Sequence, residues 1–152
     1  MEFLIYLILS WISITIYALL PKKLKVVEVI FVFFVGSILV MNLFTIVEYN
    51  FELITLTTET DKYFSLLLYR SVILPVVLLT FITILQTVES NVHKWGSSLF
   101  LYGFILLVEY LGIKFAIYFY TKWSFLLSSI DILLVFGLCL FIFRLYKRQE
   151  GK

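Results

Sequence analysis

Five stretches of this chain are too long and too apolar for a water-soluble fold: Phe3 to Leu20, Val26 to Val47, Phe64 to Leu85, Ser97 to Tyr120 and Trp123 to Phe143. A helix rising 1.5 Å per residue crosses the roughly 30 Å hydrocarbon core of a bilayer in about 20 residues while satisfying its own backbone polar groups. Hydrophobic residues make up 62% of the chain and charged residues 14%, with mean hydropathy +1.07. Soluble domains run to about half apolar and a quarter charged. Barrel strands would show short alternating segments, which are absent. The sequence therefore predicts an all-α integral membrane protein, a bundle of five transmembrane helices forming one domain over residues 1–152.

Lys and Arg in short loops set orientation, because they are retained on the cytoplasmic side. Lys22, Lys23 and Lys25 follow the first span, Lys94 lies between the third and fourth, and Arg144, Lys147, Arg148 and Lys152 follow the fifth. Only Lys62 and Lys122 fall on the other side. This pattern predicts the N-terminus outside and the C-terminus in the cytoplasm. Glu2 stands where a secretory signal would carry a basic residue, and no small-residue cleavage site follows, so the first span reads as a retained helix. Thr121-Lys122 reads as a tight turn joining spans four and five. The connection from Glu48 to Tyr63, with Glu52, Glu59 and Asp61, reads as a solvated outer loop.

Four ionisable residues, Arg70, Glu109, Lys114 and Asp131, sit inside the apolar stretches. Each unpaired charge near a helix centre costs about 2.5 to 3.5 kcal/mol on insertion scales, so such groups face protein or water. Lys114 is six residues from Tyr120 and Asp131 seven beyond Ser124, which puts both roughly 9 to 10 Å below the outer boundary, at matching depth on adjacent helices. An ion pair between them is expected. Arg70 and Asn42 reach the same level on spans three and two, which predicts a buried polar layer in the outer half of the membrane. Glu109 would lie deeper, near the midplane, and points about 140° away from Lys114. Arg70 is its expected partner. Acids have stems too short to reach the headgroups, so Glu109 and Asp131 are the firmer signs of a protein-lined interior. Pro75, just inward of Arg70, is a candidate kink.

Other chemistry is thinly supplied. His93, the only histidine, sits in a predicted cytoplasmic loop, and Cys139, the only cysteine, lies in the last span. No metal site, cofactor or catalytic residue is expected from them, and a net charge of +2 does not imply nucleic acid. Sixteen Phe against only Ala18 and Ala116 points to an AT-rich coding sequence.

The stretch Val108-Glu109-Tyr110-Leu111-Gly112-Ile113-Lys114, followed by Tyr118, Tyr120, Trp123 and Ser124, resembles the C-terminal half of small, uncharacterised multi-span membrane proteins of spore-forming Gram-positive bacteria. Asn42, with Tyr49 and Asn50 after it, is similar to their second helix. The resemblance covers about half the chain. It implies a multi-pass protein of the bacterial cytoplasmic membrane and carries no activity. The function expected from the residues is non-enzymatic: a helix bundle ordered by its polar layer, with the lipid bilayer, a second copy or other membrane proteins as partners. The competing reading is a proton- or cation-coupled transporter or channel subunit that uses Glu109. An enzyme acting on lipid ranks below both, since no nucleophile or metal ligand set accompanies the acids.

Overall fold

A computed structural model describes residues 1–21 and 23–150, apart from the side chains of Tyr49 and Glu150. Five helices in it are long and apolar enough to cross a membrane. The first is α1, Glu2–Leu19. The second is α2, Val26–Thr45, which continues as a π-helical turn over Ile46–Asn50. The third joins α3, Thr60–Leu68, through a π-helical turn at Tyr69–Ile73 to α4, Leu74–Thr87. The last two are α5, Asn91–Lys114, and α6, Phe125–Glu150. Two short strands, β1 at Ile54–Leu56 and β2 at Tyr118–Tyr120, pair antiparallel, with Thr55 opposite Phe119.

The third span is the axis of the bundle. In its most apolar 18 residues 67% are buried, against 17% in the first two spans and 28% in the last two. α4 packs on α1, α2 and α5, and more lightly on α6. Gly36 lets α2 come close to α4, since a Cβ there would stand 3.2 Å from Leu78 Cδ1. Thr80 and Thr83 are buried in this core, and each donates its hydroxyl 2.8 Å to the carbonyl four residues back. Their polar atoms are thus satisfied within the helix. Large apolar side chains such as Trp11, Phe34, Phe100 and Phe141 point outward instead. That surface suits hydrocarbon and would be an aggregation hazard in water.

The π-helical turn before α4 follows from Pro75. Proline has no N–H to give and its ring crowds the carbonyl four residues back. The chain widens there, so that the Leu74 N–H reaches the Tyr69 carbonyl five residues back. The turn ending α2 is closed in the same way by Phe51 N–H on the Ile46 carbonyl, 3.1 Å, before Glu52 leaves the helix at φ 50°.

Span four differs from its expected course. α5 stops at Lys114, and Ala116 takes a left-handed conformation at φ 53°. The Ile117 N–H then bonds the Gly112 carbonyl at 2.9 Å and the Ala116 N–H bonds the Ile113 carbonyl at 3.0 Å. This double closure terminates a helix and turns the chain aside. Tyr118 to Tyr120, expected as the end of span four, is the strand β2. Residues 115–124 therefore separate α5 from α6, and Thr121-Lys122 is not a two-residue turn between helices.

One end of the bundle gathers basic residues. Lys23 Nζ donates 3.2 Å to the Thr87 carbonyl and lies 3.8 Å from Glu89. Lys147, near the end of α6, lies 2.6 Å from Glu28, whose side chain is almost wholly enclosed at the start of α2. The other Glu28 oxygen accepts the Lys25 N–H at 2.8 Å, which caps α2. Phe31 stacks on Tyr146 at 4.3 Å beside this pair. The opposite end carries the β1–β2 sheet.

Candidate functional site: a hydroxyl cage around Glu109

Glu109 is 1% exposed and makes three side-chain hydrogen bonds to three other parts of the chain. Tyr69, on the π-helical turn, donates to Oε2 at 2.7 Å. Tyr120, on β2, and Ser128, on α6, each donate to Oε1 at 2.6 Å. Two further hydroxyls hold the backbone of the same turn of α5. Tyr118 donates to the Glu109 carbonyl at 2.9 Å and Tyr6, from α1, to the Val108 carbonyl at 3.0 Å. A carboxylate accepts at both oxygens, and these are O–H donors, so the pairing is chemically complementary. No basic residue lies within ion-pair distance of Glu109 among the described residues. Burial, followed by the charge of Glu109, pushes the Tyr118 and Tyr120 hydroxyls above the usual tyrosine range, which keeps them protonated as donors.

The local folds explain how the donors converge. On a strand, residues two apart share a face, so Tyr118 and Tyr120 both turn to α5 while Phe119 between them is exposed. Gly112 makes room for them. A Cβ there would come within 2.6 Å of the buried Tyr118 ring. Gly112→Ala is expected to push Tyr118 off the Glu109 carbonyl and to cost about 1 to 3 kcal/mol, the range for overpacking a tight interior. Thermal unfolding in detergent measures this, and a melting temperature equal to wild type would show that the ring yields freely.

The expected polar layer is rearranged. Arg70 does not partner Glu109. Its Nη2 lies 2.9 Å from Glu48 Oε2, and its guanidinium carbon stands 4.1 Å over the Phe44 ring. Adjacent residues on a helix point about 100° apart, so where Tyr69 faces Glu109 its neighbour Arg70 faces α2. Glu48, expected in a solvated loop, is buried on the π-helical turn that ends α2. Lys114 and Asp131 form no ion pair among the described residues. Lys114 is exposed at the last turn of α5, whereas half-buried Asp131 faces Val40, Leu43 and Phe44 of α2. Their matched depth assumed a helix running to Tyr120, which Ala116 interrupts. The same break places Glu109 five residues, or about 7.5 Å, from the end of α5, where an unbroken helix to Tyr120 would have put it eleven residues from the end. Asn42 is exposed, its Nδ2 donating 2.7 Å to the Ile38 carbonyl of its own helix.

The cage is therefore Glu109 with Tyr6, Tyr69, Tyr118, Tyr120 and Ser128. Among the described residues no group of three or more His, Cys, Asp or Glu gathers to hold a metal ion. No family model, curated protein or solved structure matches the chain.

Proposed function

We propose that the protein is a non-enzymatic, multi-pass membrane protein of five transmembrane helices in which the Glu109 cage fixes the packing of the first, third, fourth and fifth, and that the bundle acts with partner proteins or as a homo-oligomer. The observation carrying this reading is the enclosure of Glu109 and the engagement of both its oxygens. Three hydroxyls from three separate elements donate to them, two to Oε1 and one to Oε2, and among the described residues Glu109 lines none of the cavities of about 180 to 300 Å³. A group so enclosed orders its neighbours more readily than it exchanges with a ligand. Asn42, turned outward on α2, is a polar feature that a partner helix can meet, since amide side chains bond across helices in lipid. In this reading the basic end faces the cytoplasm and the β1–β2 sheet the outside of a bacterial cell membrane, following the distribution of Lys and Arg.

One observation favours the alternative, a proton- or cation-coupled transporter subunit. Among the described residues Glu109 has no cationic partner, and an uncompensated carboxylate in a low-dielectric interior is a group that protons and cations seek. Proteoliposomes carrying a pH or potassium gradient separate the two. The packing reading expects no flux above empty vesicles from wild type. Flux that Glu109→Gln abolishes, with the amount of folded protein unchanged, would replace it with the transport reading.

A further inference from the structure

Two adjoining cavities of about 300 Å³ each lie between α4, α5 and α6 near the basic end, sharing Phe81, Trp95, Ser98 and Leu140. α5 packs on α4, and α6 on α2 and α4, so these consecutive helices leave a cleft between them. Farther along, the Tyr102 hydroxyl closes it against Ser129. Trp95 and Leu99 on its rim are 78% and 71% exposed, so it is open to the side. A Cβ on Gly137 would meet no atom within 4 Å, which leaves the apolar arm empty of protein.

The two arms differ in chemistry. The inner arm is lined almost wholly by apolar groups, whereas the mouth carries Lys94, Arg144 and Gln86. No carboxylate lines either arm, and no ion pair engages Lys94 or Arg144 among the described residues. Ser98 Oγ, on the wall common to both, is buried and without a hydrogen-bond partner among the described residues. Two free cations above a greasy slot complement an anion carrying a hydrocarbon chain.

We propose that this cleft is a binding site for an anionic glycerophospholipid, its phosphate held between Lys94 and Arg144 and one acyl chain laid along Phe81, Leu99 and Gly137. A zwitterionic lipid fits less well, because its own cation would lie against the two basic side chains. The site rests on the membrane-spanning reading, with the basic end at a headgroup layer, and is independent of the role of Glu109.

Trp95 serves as the reporter. A variant with Trp11→Phe and Trp123→Phe is reconstituted in phosphatidylcholine vesicles, and flotation with the vesicles after alkaline washing establishes insertion. Low mole fractions of phosphatidylglycerol or phosphatidylcholine with brominated chains are then introduced, and quenching of Trp95 is read. The expected result is a preference for phosphatidylglycerol of about thirtyfold, as two basic residues at an anionic headgroup provide. Lys94→Gln with Arg144→Gln should erase the preference, Gly137→Phe should lower quenching by phosphatidylglycerol, and Arg148→Gln should change nothing. Equal quenching by the two lipids in inserted wild-type protein overturns the proposal, as does a preference that survives the double substitution. No quenching by either lipid means that protein covers the cleft and also overturns it, whereas failure to float counts against the membrane-spanning reading itself.

Discussion

Glu109→Ala is expected to destabilise the bundle by about 4 kcal/mol. Hydrogen bonds to a charged group contribute about 1.5 to 3 kcal/mol each in soluble proteins, and alanine strands three hydroxyl donors at once. The sum is discounted because polar groups of a membrane protein unfolded in lipid also find partners there. Glu109→Gln should be far milder, about 1 to 2 kcal/mol. Its amide oxygen keeps Tyr120 and Ser128, and its NH₂ can donate to a reoriented Tyr69 hydroxyl. Unfolding of purified protein in mixed micelles, followed by circular dichroism, reads both. If glutamine proves as damaging as alanine, negative charge rather than the bonding pattern matters at this position, and the packing role is wrong.

Arg70→Leu is the second large effect. It leaves Glu48, whose side chain is 8% exposed, without its counter-ion. Removing one member of a buried pair costs about 3 to 5 kcal/mol, because the remaining charge has lost its compensation. The lower figure applies here, since Glu48 sits on the last turn of its span where water is near. Changing both, Glu48→Leu with Arg70→Leu, should return stability to within about 1 kcal/mol of wild type, as apolar replacements of buried pairs commonly do. The same micelle unfolding measures the cycle. A double variant no more stable than Arg70→Leu alone would mean that the arginine acts through its contact with Phe44 instead.

The spans were legible because hydrocarbon accepts only long, self-satisfied apolar helices. Glu109 and Arg70 stood out in the sequence by the same physics, as charges where charge is costly. Their partners did not. A tyrosine hydroxyl rides on a ring that counts as apolar, so hydropathy gives no sign that Tyr6, Tyr69, Tyr118 and Tyr120 are donors. Tyr118 and Tyr120 gave one local sign, a spacing of two residues with an exposed Phe119 between, which is the period of a strand. Hydropathy cannot see it inside Phe115 to Tyr120, where both readings are equally greasy. Pairing Lys114 with Asp131 depended on an unbroken helix, and the break at Ala116 has no marker, because glycine is the usual residue there. Glu28 drew no attention at the edge of its span, since only the three-dimensional meeting of α2 with α6 brings Lys147 to it.

The third span, enclosed on most sides, also imposes an order on biosynthesis. Chains emerge from the ribosome N-terminus first. The clasp between Glu48 and Arg70 needs nothing beyond residue 70, so it is available while the third helix is still leaving the insertion machinery. The ring of hydroxyls needs Tyr120, which follows the fourth helix on β2, and Ser128, which arrives only with the last crossing. A nascent chain halted after the fourth helix would thus carry Glu109 into lipid with Tyr69 as its single side-chain companion, a vulnerable interval that completion of translation brings to an end.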